Sequence, residues 1–417
     1  MKQTDVPVTC LLAVALFLNL AAAPAQAALS LADARTLAES RAPMLAARRA
    51  AVDAARALTT SAAELPDPKL SAGVENLPIS GPMRWQISAD GMTQRSFAWM
   101  QDMPNAAKRA ARRDGAEARA AKEAAMLAAE RLAVRREVTQ AWLMRYYAEQ
   151  RIAAFAALRE ENRLLIETLP ARIAAGKAMA TDLTMARQDA LMLADRLDEL
   201  QRERAQAQAT LARWLGDAAA QPLEGTPPAL LPDAAALREA IDRQPELQAF
   251  EPMRQMAASE MREAEAMRRG DWSWQVMYSR RNPMFGDMVS FQVSFELPLW
   301  GEKRQEPQVT ARRREMERLE GEREDLRLRR REEIDMQLAE LDELDRKLAR
   351  LKAESAPLAE QRVALAMAAY EGARGDLAAV LTARRDRAEL ALRDIELQAR
   401  RHALRARLAD LTETEPR

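Results

Sequence analysis

The chain has 417 residues, with 63 basic and 63 acidic side chains, one histidine and one cysteine. The charge balance gives no overall attraction for nucleic acid. The single histidine, His402, lies in a helix rich in Leu and Arg. No Ser-His-Asp grouping or phosphate-binding glycine loop can be assembled around it. We therefore predict that the protein is not an enzyme and has no cofactor, no metal site and no nucleic-acid partner.

The N-terminus has the pattern of a secretory signal peptide. Lys2 precedes an apolar run at residues 10–23, and a small-x-small site at residues 25–27 follows it. We predict residues 1–27 as the signal peptide, with cleavage after Ala27. Cleavage removes Cys10, so the mature chain contains no thiol for catalysis, disulfides or metal binding. No other stretch reaches the roughly 18 apolar residues that a membrane-spanning helix needs.

The first part of the mature chain predicts a helix followed by a weak hairpin. Residues 30–63 are rich in Ala, and Ser30 is a plausible N-cap. A Pro-Asp-Pro break follows, and then residues 70–75 and 95–101 alternate apolar with polar side chains. This alternation predicts two short strands.

A long helix and a shorter returning helix come next. Residues 105–169 contain no proline and predict one helix of about 100 Å, at about 1.5 Å per residue. Pro170, Gly176 and Thr181 mark a reversal, after which a helix returns to Leu215.

A second and stronger hairpin is predicted at residues 272–281 and 289–297. One face carries mainly aromatic and β-branched residues: Trp272, Trp274, Val276, Tyr278, Phe291, Val293 and Phe295. The other face carries polar residues: Ser273, Gln275, Ser279, Ser290, Gln292, Ser294 and Glu296. This pattern is typical of outer-membrane β-barrel strands, with lipid on one side and water on the other. A half-buried hairpin of a soluble domain would show the same alternation, so the hairpin alone leaves both interpretations open.

The order of elements recurs along the chain. Lys108 and Arg109 before the first long helix match Lys303 and Arg304 before the second, and Gly176 aligns with Ala373. The chain is therefore predicted to be a tandem repeat. The predicted units are a first repeat at 28–215, a proline-rich linker at 216–232, a second repeat at 233–411 and a tail at 412–417. Each long helix is expected to lie beside two shorter helices stacked end to end.

The mature chain resembles the outer-membrane efflux protein (TolC) family. The resemblance rests on the repeat and on three segments, "LPDPKLSAGVENLP", "ELPLWGEKR" and "RIAAGKAMATDLTMAR". The first two segments look most like the CzcC- and CusC-like outer-membrane channels of heavy-metal RND pumps. The resemblance implies a mainly α fold with a small β portion. It also implies a homotrimer in which each protomer gives four strands to a 12-stranded barrel and its helices to a periplasmic α-barrel.

The resemblance further implies a passive channel in the outer membrane and periplasm of a Gram-negative bacterium. Its partners would be membrane lipid, a periplasmic adaptor and an inner-membrane RND pump, and its cargo would be heavy-metal cations. The aromatic strand faces would contact lipid, the polar ones would line the lumen, and the linker would form an equatorial belt. The same family also contains channels for drugs and other small molecules, which is the first alternative. A periplasmic coiled-coil adaptor or structural protein is the second.

In this family the helical reversals form periplasmic tips that meet the adaptor and hold the channel closed. The matching tip residues are Gly176, Thr181, Asp182, Arg187, Gly372 and Arg384. We expect Gly176 and Gly372 to need the left-handed backbone conformation of the reversals. The chain departs from the family at Ala107 and Ala373, where glycine is usual. It also departs at Ala379 and Thr382, where the founding member has acidic gate residues.

Methionine provides one further hypothesis about cargo. Seven methionines lie near the two hairpins: Met83, Met92, Met100, Met103, Met277, Met284 and Met288. Thioether sulfur is a soft ligand that suits Cu(I). Methionine also fills irregular apolar gaps, and a wide duct need not bind what it passes. A methionine-assisted metal path therefore remains open beside the simpler packing role.

Overall fold

A computed structural model describes residues 28–228 and 233–412. The predicted signal peptide, residues 229–232 of the linker and residues 413–417 of the tail lie outside these ranges. The helices are α1 (Leu31–Arg41), α2 (Pro43–Ser61), α3 (Ala106–Ala174), α4 (Ala180–Leu215), α5 (Ala234–Glu239), α6 (Pro245–Gln248), α7 (Phe250–Ala266), α8 (Gly301–Arg350), α9 (Ala356–Glu371) and α10 (Leu377–Ala409). The strands are β1 (Lys69–Glu75), β2 (Gln94–Met103), β3 (Trp272–Arg280) and β4 (Met288–Phe295).

Two prolines shape helices that the sequence predicts as continuous. The first predicted helix is divided into α1 and α2 at Ala42, whose backbone is extended (ψ 115°) because Pro43 follows it. The second long helix changes to a π-helical turn at Leu351–Ser355 before continuing as α9. Pro357 lies just after that turn and lacks the N–H that regular helix bonding requires. Ser30 caps α1 as predicted, accepting a hydrogen bond from the N–H of Asp33 at 3.1 Å.

The four strands form one antiparallel sheet in the order β1-β2-β3-β4. Each hairpin pairs its own strands, and β2 pairs with β3 to join the two hairpins. In the register, Trp99 lies opposite Leu70 on one side and Val276 on the other. Both repeats therefore contribute to a single sheet, in which β1 and β4 are the edge strands.

The helices extend from this sheet as a long bundle. α3 spans 69 residues, or about 100 Å, and packs against α1, α2 and α4 from its own repeat and α7 and α10 from the other. A buried cluster midway along α3 is centred on Trp142, whose indole N–H donates to the carbonyl oxygen of Leu29. Nearby, Leu29 forms a parallel bridge with Leu223 of the predicted linker.

These observations confirm the predicted fold class, a mainly α protomer with four strands. The charged runs of α8 form ion pairs along the helix surface, as between Arg318 and Glu315 and between Arg314 and Glu317. Among the described residues, none of the helices combines the length and the apolar composition that a membrane crossing requires.

Candidate functional site

The register divides the sheet into an apolar face and a polar face. Residues directly opposite each other in antiparallel strands share a face. The seven residues predicted to contact lipid all lie on one face, where Leu70, Ala72, Phe97 and Trp99 of the first hairpin join them. The residues predicted to line the lumen lie within β3 and β4 on the other face, except Glu296, which follows β4 with the same alternation.

The apolar face is exposed. Phe97, Phe291 and Phe295 are 56%, 69% and 69% exposed, so no protein core covers them. On the polar face, by contrast, Ser96 and Ser279 are buried. A half-buried hairpin of a soluble domain would show the opposite, with its aromatic residues packed inside. A large exposed apolar surface requires an apolar partner, either a membrane or another protein.

Three methionines form a diagonal row on the polar face. Met277 lies opposite Ala98 and Ser290, so Met100 on β2 and Met288 on β4 are its diagonal neighbours. Diagonal neighbours in a sheet are about 7–8 Å apart, within reach of long side chains. Sequence alternation identifies only Met277 on this face. The other two depend on strand register.

The sheet joins the helices through a polar junction that the sequence analysis missed. Asn105 caps α3, its side-chain oxygen accepting from the N–H of Lys108 at 2.8 Å. The Asn105 side-chain amide donates to the carbonyl oxygens of Ala266, the last residue of α7, and of Arg269, which follows α7. The ammonium of Lys108 lies 2.7 Å from Oδ2 of Asp271, and the N–H of Asn105 donates to Oδ1. The start of the first long helix is thus bonded to the second repeat.

Burial and hydrogen bonding act in opposite directions on Asp271. Burial raises the pKa of its carboxyl, but the bonds from Lys108 and from the N–H of Asn105 outweigh burial and lower the pKa overall. The carboxylate is therefore held ionised at this junction.

Gly270, which precedes Asp271, is required sterically, since a Cβ there would lie 1.8 Å from the carbonyl oxygen of Glu296. Sequence repetition identifies Lys108, but nothing in its local pattern identifies Asp271 as its partner.

The two helical reversals have the same backbone design. Gly176 has φ of +68°, and the N–H of the next residue, Lys177, bonds back to Arg172. In the second reversal the equivalent left-handed residue is Ala373, with φ of +53°. The expectation that Gly372 adopts this conformation is wrong, because its φ is −82° and it caps the helix one position earlier. Ala373, which has a Cβ atom, therefore adopts the strained left-handed conformation.

Some of the other predicted tip residues are exposed, and the rest contact residues of neighbouring helices. Thr181 and Arg187 are exposed, as are both tip glycines. Asp182 is 6% exposed and accepts hydrogen bonds from the Tyr370 hydroxyl and from the N–H of Met179. Arg384 is also largely covered and lies 3.6 Å from Glu161. Asp182 and Arg384 therefore hold tip helices together in the protomer.

A buried polar cluster lies farther from the tip. Asn162 of α3 donates to Oδ2 of Asp189 on α4 at 2.6 Å, and Arg385 of α10 lies 3.4 Å from Oδ1. Burial raises the pKa of the Asp189 carboxyl, while Arg385 and Asn162 oppose that rise. The cluster links three helices drawn from both repeats.

His402 occupies a half-buried position against α3. Its ring stacks on Tyr147 and shares a hydrogen bond with the phenol. Burial lowers the pKa of His402, with Arg401 and Arg405 adding to that effect, and burial raises the pKa of Tyr147 to about 12. The contact supports packing between α3 and α10.

The described ranges contain no group of three or more His, Cys, Asp or Glu side chains placed to hold a metal ion. The candidate functional sites are therefore surfaces: an exposed apolar sheet face, a polar sheet face and two exposed helical reversals.

Residues 34–217 match the model of the outer membrane efflux protein family. This part of the chain is similar to outer membrane efflux proteins. No protein among the curated sequences matches it. This similarity places the protein in the outer membrane and periplasm and in no enzyme class.

Solved structures share the fold over almost the whole chain. One is a membrane protein from Pseudomonas aeruginosa, 20% identical, covering 92% of this chain and 90% of its own, with a TM-score of 0.77. A second is CusC, described for its conformational changes on folding and transmembrane channel formation, which is 15% identical, covers 91% of each chain and has a TM-score of 0.77. A third is the outer membrane protein VceC from Vibrio cholerae, 19% identical, covering 92% of this chain and 96% of its own, with a TM-score of 0.73.

Proposed function

We propose that this protein is the outer-membrane channel of a tripartite RND-type efflux system, conducting exported substrate passively to the outside. The observation that carries the proposal is the exposed apolar face, which runs over four strands at one end of a helical bundle about 100 Å long. An apolar face toward lipid and a polar face toward water is the arrangement of outer-membrane strands. Three protomers would complete a 12-stranded barrel and a periplasmic helical barrel.

The polar sheet face is proposed to line the lumen. Residues such as Gln275 and Gln292, which lie opposite each other, would border the water path. Conduction of this kind requires no chemistry in the channel. The energy would come from the inner-membrane pump, in keeping with a sequence that has no nucleotide-binding motif.

The reversals are proposed to meet the periplasmic adaptor. Gly176, Thr181 and Arg187 are exposed at one reversal and Gly372 at the other, so they offer surface for docking. Asp182 would contribute indirectly, by holding the first reversal against Tyr370 of the second. The departures at Ala379 and Thr382 argue against an aspartate ring from the second repeat.

Heavy-metal cations are the proposed cargo. The support comes from the segments "LPDPKLSAGVENLP" and "ELPLWGEKR". The row formed by Met100, Met277 and Met288 adds soft ligands on the proposed lumen side. A water-filled duct does not need these ligands, so cargo class and methionine binding are separate questions.

Deletion of the gene in its native host tests both channel and cargo. We expect tolerance to at least one of copper, silver, zinc, cobalt and cadmium to fall more than tolerance to hydrophobic drugs. The wild-type gene should restore tolerance, whereas a Trp274→Arg variant that fails to insert should not. A larger loss of drug tolerance would assign the channel to drug efflux. Unchanged tolerance to every compound would contradict the proposed efflux role. Complementation with Met100→Leu, Met277→Leu and Met288→Leu combined would show whether thioethers are needed.

A further inference from the structure

Two arginines are the only charged residues that the strand register places on the apolar face of the sheet. Arg95 of β2 and Arg280 of β3 lie directly opposite each other, and both are exposed. The helices join the sheet at its other end, where Met103 lies opposite Trp272. The arginine pair therefore lies beside the loops that join β1 to β2 and β3 to β4.

The height of the pair on the sheet matches the edge of a bilayer. β3 has 9 residues from Trp272 to Arg280, and its two ends are about 27 Å apart at about 3.4 Å per residue. Outer-membrane strands are tilted by about 40°, so this length rises about 20 Å through an apolar band about 25 Å tall. Aromatic residues border that band, and Tyr278 precedes Arg280 on the same face. The pair therefore lies where the lipid headgroups begin.

Neither arginine side chain has a hydrogen bond or an ion pair within the described part of the chain. The carboxylate of Asp287, which precedes β4, instead accepts a hydrogen bond from the hydroxyl of Tyr278. Like charges directly opposite each other in a sheet are destabilising. A shared anion would relieve this repulsion.

A single arginine at this height has a simpler explanation, since its long stem can lie along apolar surface while the guanidinium reaches water. That explanation does not account for two arginines placed opposite each other. Directly opposite residues have Cβ atoms about 5 Å apart, so two guanidinium groups can contact one phosphate together. Arginine binds phosphate through paired hydrogen bonds that lysine does not reproduce.

We propose that Arg95 and Arg280 together bind a phosphate group of the glycolipid in the outer leaflet of the outer membrane. Phe97 and Tyr278, the next opposite pair on the same face, contact its acyl chains. The inference rests on the proposed function, because it requires the apolar face to contact lipid. The phosphate supplies the negative charge that faces neither arginine in the described residues. The bound lipid therefore stabilises the folded protein.

Thermal unfolding of the purified protein, with and without lipid A, tests the site. In lipid-free detergent, Arg95→Gln and Arg280→Gln should each melt at or above the wild-type temperature, because each removes a like-charge repulsion. Added lipid A should raise the melting temperature of the wild type more than that of either variant, so that the order reverses. Arg84→Gln removes an exposed arginine from the loop between β1 and β2. It is the matched control and should follow the wild type in both conditions.

Direct binding of lipid A gives a second measurement. Arg95→Gln and Arg280→Gln should each weaken binding about tenfold or more, as expected for lost hydrogen bonds to a charged group. Lipid A without its phosphates should bind the wild type similarly weakly. Excess inorganic phosphate should not displace lipid A, because it lacks acyl chains.

Four results would overturn the inference: an unchanged order of melting temperatures, equal binding by both arginine variants and the wild type, an equal loss with Arg84→Gln, or displacement by inorganic phosphate. The last would make a free phosphate ion the ligand. A wild-type protein that lies in the outer membrane but binds no lipid A would overturn this inference alone. Recovery of the wild type outside the membrane would instead contradict the proposed function.

Discussion

The hydroxyl of Tyr370, at the end of α9, donates a hydrogen bond to Oδ2 of Asp182, in the first turn of α4, at 3.0 Å. It joins the two helical reversals, which belong to different repeats. Leu169 and Leu377 pack in the same buried cluster, and the guanidinium of Arg172 lies over the Tyr370 ring. The tip of the protomer is therefore one packed unit.

Removing this hydrogen bond should loosen the tip without unfolding it. Tyr370→Phe keeps the ring and its packing, while Asp182 retains its bond from the N–H of Met179. We expect a loss of about 1 kcal/mol in stability, typical of one hydrogen bond, and a higher conductance in planar bilayers. Thr181→Ala, at an exposed neighbour, is the control and should conduct like the wild type. If the wild type, Tyr370→Phe and Thr181→Ala all conduct equally, this hydrogen bond does not help to close the channel.

The left-handed positions of the reversals predict opposite responses to substitution. Ala373→Gly should raise stability by about 1 kcal/mol, because glycine adopts positive φ without the steric cost that alanine bears. Thermal unfolding would measure the gain. A melting temperature at or below that of the wild type would contradict the strain assigned to Ala373.

Gly176→Val should weaken adaptor binding and leave trimer assembly intact. A β-branched residue does not fit the left-handed conformation of that reversal, which the structure places at φ of +68°. Gly176→Asn is the matched control, since asparagine tolerates this conformation better than most residues. Co-purification with the adaptor reports the effect. Normal adaptor recovery and normal efflux with Gly176→Val would remove this reversal from the docking surface.

The two sheet faces predict different tolerance of charge. Trp274→Arg and Phe295→Arg place a cation on the apolar face, at a cost of about 2–4 kcal/mol near the middle of a bilayer. Both should reduce the protein recovered in outer-membrane fractions. Gln292→Arg, on the polar face one position beyond Val293, the residue opposite Trp274, should assemble normally. If Gln292→Arg fails while the other two insert, the faces are reversed.

The lowered pKa of His402 predicts that the folded protein loses stability in mild acid. Its pKa is lowered by burial and by Arg401 and Arg405, so the unfolded chain takes up the proton before the folded protein does. Stability from this residue is therefore present above the unfolded pKa of about 6.5 and is lost as the pH falls toward the folded value. His402→Gln should reduce the difference between melting temperatures at pH 7.5 and pH 5.5. An unchanged difference would exclude His402 as its source.

Local patterns of the sequence determined much of the fold. Successive side chains of a strand point to opposite faces, so the alternation of Trp274 with Gln275 was enough to separate an apolar from a polar surface. Proline and glycine similarly marked the first reversal, where Gly176 takes the left-handed conformation. The alternation also predicted correctly that the second hairpin begins at Trp272. Such predictions succeed because strand patterns and turn residues are local signals.

Tertiary structure alone decided how those elements meet. The pairing of Trp99 with Val276 joins residues far apart in the chain, and no local periodicity specifies it. The bond between Lys108 and Asp271 and the burial of Asp182 against Tyr370 have the same origin. Each depends on the long helices bringing the two repeats side by side. Helix and strand propensities act over a few residues, whereas these contacts depend on the packing of the whole chain.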